Sequence, residues 1–200
     1  MTIQVTLLSI VLAFIVAFLF GLGRLSTYRI IRGASYTIIE FIRGTSLMVQ
    51  LFWLYFVLPF FGIELPSLFA GVLAIGLNYG AYGSEIVRSS ILAVPKGQTE
   101  AAIALNMTPW QRMRVVIIPQ AMMRMVPPFG NLSIELLKGT SLVSFISLHD
   151  MTYEALRLRN YHLGDAFVFL FMLLILYFVL AQLFMLFMRW LERRVTMGRV

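Results

Sequence analysis

The chain alternates long apolar runs with short polar interruptions. Ile3 to Leu22 is almost unbroken hydrophobic sequence of about 20 residues, the length that crosses a bilayer as a helix. No basic segment precedes it, so it reads as a retained span rather than a cleaved signal. Further apolar stretches cover roughly 47–63, 65–91, 115–138 and 166–188. The second is short and rich in aromatics, and the third carries Gly71, Gly76, Gly80 and Gly83, which allow helices to approach closely. The fourth contains Pro127 and Pro128 and is expected to be kinked. The pattern predicts an all-α integral membrane bundle of about five spans forming a single domain over 1–200.

Two polar stretches interrupt this pattern in different ways. Residues 23–44 read as interfacial, with Tyr36, Glu40 and Arg43 on one helix face. Residues 95–114 form the long polar break at the centre of the chain, and Ala101, Ala102, Ala104 and Leu105 in it are strong helix formers. With Thr99 as N-cap, a short helix is expected to run to about Met107, and Pro109 restarts the chain. Gly139, Thr140 and Ser141 are expected to break the fourth span.

Composition agrees with a membrane protein: 60% of residues are hydrophobic and 12% charged, against about 45–50% and 25% in soluble domains. The net charge of +7 does not point to nucleic acid, because the basic residues are scattered through short loops. Of the 16 Lys and Arg residues, all but Lys138, Arg157 and Arg159 fall on one side if the N-terminus is outside. The positive-inside rule therefore places the C-terminus and the 95–114 loop in the cytoplasm. Cysteine is absent, so disulfides, thiolate metal sites and cysteine nucleophiles are excluded.

Ionisable groups within the spans are the candidates for a solute pathway, since burying them in lipid is costly. Asn131, Glu135 and Lys138 make one helical stripe, and Asn78, Tyr82 and Glu85 repeat its spacing. Facing each other, the two stripes would line a polar cavity able to meet both ends of a zwitterion, with Thr140 and Ser141 contributing from the broken helix. The plainer alternatives are that Glu85 pairs with Arg88 and that Glu135 and Lys138 neutralise one another. His149 and His162 have no ligand-spaced partners, so no metal site is expected. No nucleophile–base set points to catalysis, and no Gly-Lys-Ser/Thr phosphate loop is present.

Glu100-Ala101-Ala102 followed by Ile117-Ile118-Pro119-Gln120-Ala121 resembles the "EAA" loop of permease subunits of bacterial ATP-binding-cassette importers. Arg43-Gly44-Thr45-Ser46-Leu47, Gly80-Ala81-Tyr82 with Glu85-Ile86-Val87-Arg88, and Leu137-Lys138-Gly139-Thr140-Ser141-Leu142 resemble its polar amino acid and opine branch. The pattern departs at Asn106, where the family has glycine, and at Ser46, where the branch more often has proline. Asn tolerates left-handed dihedrals, so Asn106 can still end the helix.

The resemblance implies a transport subunit of the bacterial cytoplasmic (inner) membrane. A short cytoplasmic coupling helix would dock on an ATPase through Gly97, Glu100, Ala101, Ala102, Ala104 and Asn106. It also implies two cytoplasmic ATP-binding subunits holding ATP and Mg, an extracytoplasmic solute-binding protein, and a second permease as homodimer or paralogous heterodimer. This chain itself would bind no cofactor and perform no chemistry. The expected cargo is a small polar solute, an amino acid foremost, with an opine or ectoine-type compatible solute as alternatives. An ion-coupled secondary transporter and a membrane scaffold are the rival classes.

Overall fold

The computed structural model describes residues 1–196, and secondary structure among them is helical throughout. Helix α1 spans Thr2–Gly23, α2 Arg29–Arg43 and α3 Leu47–Phe52. The chain continues from α3 as a π-helical turn, Trp53–Val57, and a 3-10 turn, Leu58–Phe61. Helix α4 spans Ser67–Leu92, α5 Lys96–Ala104 and α6 Pro109–Gln111. A second π-helical turn, Arg112–Ile117, leads into α7, Ile118–Gly139. A 3-10 segment Thr140–Ile146, α8 Met151–Tyr161 and the long α9 Ala166–Thr196 complete the chain.

The core is built on α1 against α4. Glycines let the two backbones meet: a Cβ on Gly80 would stand 2.6 Å from the Val16 Cβ and 3.1 Å from the Ala13 carbonyl oxygen. One apolar cluster joins Val5, Ala13, Leu51, Ala70, Ile75, Leu136 and Val143. Another joins Ala17, Val87, Ile91, Ala121, Met125 and Phe129, with the Phe14 and Phe129 rings stacked at 4.5 Å. Helix α9 lies outside this core and buries little except Ala181 against Ile134 and Leu137 of α7.

Among the described residues, α1 and the segment Leu163–Arg194 are long and apolar enough to cross a membrane. The pair Arg29–Arg43 and Leu47–Phe61 reaches the same standard together, bent by 98°. The bend falls at residues 44–46, ahead of the 47–63 stretch, which itself continues as helix through the π and 3-10 turns to Phe61. Helices α4 and α7 are long but more polar, and pack into the bundle instead of presenting apolar surface all round.

Two local expectations need correction. Helix α5 starts at Lys96 with Pro95 as its N-cap residue, so Thr99 lies inside the helix. Proline's fixed φ suits a helix start and moves the boundary one turn earlier. Gly139-Thr140-Ser141 ends α7 where expected, but by tightening into the 3-10 segment rather than by opening the backbone. Thr140 Oγ1 donates to the Leu137 carbonyl at 2.7 Å and Ser144 Oγ to that of Ser141 at 2.8 Å. The reversal comes at Ser147, whose φ is 59°.

Candidate coupling face and polar surface

Helix α5 is nine residues long and attached to the bundle along one edge. Ala102 is 2% exposed and turned into this chain's own body, while Gly97, Glu100, Ala101, Ala104 and Asn106 are exposed. The small Ala102 side chain therefore seats the helix, and the other residues form its free face. Gln120 Nε2 of α7 donates to Gln98 Oε1 at 3.0 Å, a second attachment. Helix α5 ends as the sequence predicts: Asn106 adopts φ 54° and its N–H bonds the Ile103 carbonyl at 2.9 Å.

The restart at Pro109 is held by a reciprocal cap. Thr108 N–H donates to Gln111 Oε1 at 2.9 Å, and Gln111 N–H donates to Thr108 Oγ1 at 3.3 Å. This fixes an exposed apolar pair beside the free face of α5: Leu105 is 72% exposed and Trp110 69%. Leu105 was expected only as a helix former and Trp110 had no assigned part, although a leucine and a tryptophan in a polar loop are themselves a signal for a partner surface. Glu100 makes no hydrogen bond or ion pair among the described residues, so its carboxylate is free for an external one.

The polar residues within the long helices divide into two groups. Asn78 is 5% exposed and its Nδ2 donates to Gln50 Oε1 of α3 at 3.1 Å, so it ties helices together rather than lining an open surface. Glu85 accepts from Arg24 Nη1 at 2.9 Å and from Arg88 Nε at 3.0 Å. The pairing with Arg88 is the plainer of the two sequence readings, and Arg24 is a partner that sequence reasoning missed. Tyr82 remains exposed, with the Arg43 guanidinium 5.3 Å from its ring centre.

On α7 the arrangement is the reverse. Asn131, Glu135 and Lys138 lie exposed along one stripe, and their side chains make no hydrogen bond or ion pair among the described residues. Glu135 and Lys138 therefore do not neutralise one another by direct contact. The two predicted stripes do not enclose a cavity inside this chain, because Asn78 and Glu85 are spent on α3 and α1 while the α7 stripe looks outward. Thr140 is fully buried, and its hydroxyl is committed to Leu137. Ser141 is half-buried and, with Lys138, lines a groove of about 410 Å³ against Tyr177 and Gln182 of α9.

Tyr79 positions the α7 stripe. Its hydroxyl donates to the Glu135 backbone carbonyl at 3.0 Å, and a side chain on Gly139 would stand 2.6 Å from that hydroxyl. Glycine in the Lys138-Gly139-Thr140 run thus makes room for the tyrosine. At the far end of the fold, Asp150 caps α8 by accepting from the Tyr153 N–H at 2.8 Å, and Tyr177 of α9 reaches its other oxygen at 3.4 Å. Burial pushes the Asp150 carboxyl above the usual range, although hydrogen bonds oppose the shift.

Residues 9–197 match the family of binding-protein-dependent transport system inner membrane components. The chain belongs to this family. It is 48% identical over 204 residues to a probable amino-acid ABC transporter permease of Sinorhizobium fredii, covering 99% of this chain and 85% of that one. It is 37% identical to the L-cystine transport system permease of Bacillus subtilis, covering 97% and 83%. A solved amino acid ABC transporter with histidines is 36% identical, with TM-score 0.90 over 97% of this chain and 90% of that one. The inward-facing MetNI methionine ABC transporter, at 19% identity and TM-score 0.75, shares the fold over 98% and 93%.

Family membership makes this permease a membrane subunit with ATPase and permease partners, and sets aside the secondary-transporter and scaffold readings.

Proposed function

We propose that this permease is one half of the membrane channel of an ATP-driven amino acid importer in the bacterial inner membrane. Its N-terminus lies outside, and α5 and the C-terminus lie in the cytoplasm, a placement supported by the distribution of basic residues. Helix α5 is the coupling helix. It presents Gly97, Glu100, Ala101, Ala104 and Asn106 to a cytoplasmic ATPase, which holds ATP and Mg, while Ala102 transmits the contact into the bundle. Leu105 and Trp110 are its apolar anchors. The observation that carries this reading is a short helix seated on one alanine, with an unpaired carboxylate and two large apolar side chains exposed beside it.

The cargo surface is shared between two permeases. Asn131, Glu135 and Lys138 would be costly against lipid, so a second permease, the same chain or a paralogue, covers them across a water-filled path. Tyr82, Glu135, Lys138 and Ser141 are the residues that meet solute, with the carboxylate and ammonium suited to opposite ends of a zwitterion. Asn78, Glu85 and Thr140 hold the helices that carry them. An extracytoplasmic binding protein delivers the solute. The names of the relatives, for cystine and for amino acids generally, support an amino acid over an opine or an ectoine-type solute.

The test is uptake in proteoliposomes containing this permease with its ATPase and binding protein. Glu100→Arg replaces an attractive contact by a repulsive one, and a charged hydrogen bond is worth about 1.5–3 kcal/mol. ATP-dependent uptake should fall by about tenfold or more, with membrane levels unchanged. Unaltered uptake would remove α5 from the coupling role.

A further inference from the structure

Helices α1 and α4 are joined by close backbone contact, but α2 is held differently. Of its 15 residues only Ser35 and Ile39 are buried, while Ile30, Ile31, Ile38 and Phe41 are exposed. Ile39 is fully buried, and the rest of the attachment is polar. The Arg24 guanidinium at the end of α1 lies 5.4 Å from the Tyr36 ring centre, and its Nη2 is 3.9 Å from Glu40 Oε1. Arg43 Nη1 donates to the same Glu40 oxygen at 3.2 Å, and its guanidinium lies over Tyr82 of α4. Since Arg24 also bonds Glu85, which bonds Arg88, an alternating chain Arg43–Glu40–Arg24–Glu85–Arg88 crosses three helices.

The chain is strong where it joins α1 to α4 and weak where it joins α2. Arg24 to Glu85 is 2.9 Å, with only 10% of the Arg24 side chain exposed, whereas Arg24 to Glu40 is 3.9 Å and the Glu40 side chain is 43% exposed. Partly exposed pairs of that kind are readily exchanged. Arg43 Nε is shut off from solvent and has no hydrogen-bond partner, so the present geometry leaves one donor of the chain unspent.

Beyond Arg43 the path bends by 98° into α3. Gln50 braces the bend: Nε2 donates to the Ile42 carbonyl at 2.7 Å and to Thr45 Oγ1 at 2.6 Å, while Oε1 accepts from Asn78 of α4. An apolar cavity of about 340 Å³ lies against the same bend, lined by Phe41, Val49, Trp53, Leu54 and Leu77. The π-helical turn Trp53–Val57 follows it, a form often found where helices adjust.

We propose that α2 is a hinged arm, latched by Glu40 and Arg43 in the conformation described here and released in another state of the transport cycle. The elbow at Gly44-Thr45-Ser46 is the hinge, Gln50 and Asn78 keep it fastened to α4, and the adjoining cavity gives it room. This rests on the importer reading, which supplies the ATP-driven change of state.

The chain contains no cysteine, so spin labels can be placed cleanly. Labels at Ile38→Cys on α2 and Ser89→Cys on α4 report the arm, and labels at Leu19→Cys on α1 and Leu92→Cys on α4 report the rigid pair. Distances are read by electron double resonance on the assembled transporter in nanodiscs, with cysteine-free partners, before and after vanadate trapping of nucleotide. The α2–α4 distance should shift to a second value on trapping while the α1–α4 distance stays fixed. Glu40→Gln should populate the second value without nucleotide, again with the α1–α4 distance unchanged. An α2–α4 distance that is the same in both states, or unaltered populations in Glu40→Gln, would overturn the arm while leaving the importer reading intact. Failure of the wild-type assembly to trap nucleotide would overturn both.

Discussion

At the scale of single residues, space and hydrogen-bond capacity decide what each position tolerates. Gly80 is fixed by the approach of Val16, so Gly80→Val should destabilise the α1–α4 pair by about 1–3 kcal/mol, the cost of overpacking. Thermal unfolding in detergent checks this, with Gly33→Ala, where nothing lies within 4 Å of the added carbon, expected to leave the melting temperature unchanged or raised. Asp150 gives a pH dependence. Its carboxyl is raised by burial, so the folded state favours the protonated form, and this contribution is present in acid and lost as pH rises through the raised value. Amide exchange of α8 should be slower near pH 4 than near pH 7 after correction for intrinsic rates, and Asp150→Asn should flatten the difference.

At the scale of elements, legibility followed the strength of the local signal. The runs at 3–22 and 166–188 became α1 and α9 because uninterrupted apolar sequence of that length has one stable form in a bilayer. The glycine pattern of α4 announced close packing because residues without a side chain let helix backbones approach. The short helix in the central polar break was legible in kind but shifted in detail: Asn106 ended α5 as its dihedral tolerance suggested, yet Pro95 rather than Thr99 began it. The break between residues 44 and 47 was legible, but the bracing of the elbow there was not, since Gln50 bonds a carbonyl eight residues before it and a side chain 28 residues after it. Contacts of that range leave no periodic trace. The apolar anchors beside α5 yield a prediction at this scale: Leu105→Glu should weaken capture of the ATPase by at least about 2 kcal/mol, or roughly 30-fold, in pull-down titration. Equal affinity for the variant would confine docking to the polar residues.

At the scale of the molecule, the one-chain picture explains the core and leaves the polar stripe of α7 unaccounted for. Spacing grouped Asn131, Glu135 and Lys138 correctly on one face, but could not tell that this face points away from its own bundle. The two stripes were expected to meet inside one chain, whereas the fold uses Asn78 and Glu85 as internal ties and turns the α7 stripe outward. Substituting Glu135→Gln should alter uptake of a zwitterionic amino acid while leaving assembly with the ATPase intact, and kinetics identical to wild type would return Glu135 to a purely structural place.

If the exposed face of α5 is where ATP hydrolysis by a partner enters this chain, that face must lie against the ATPase in the assembled transporter. A photoreactive cross-linker on Ala101→Cys, with one on Leu163→Cys at the opposite end as comparison, can be activated in membranes carrying the whole transporter. Position 101 should give an adduct with the ATPase and position 163 none. An ATPase adduct from position 163, with none from position 101, would contradict that placement.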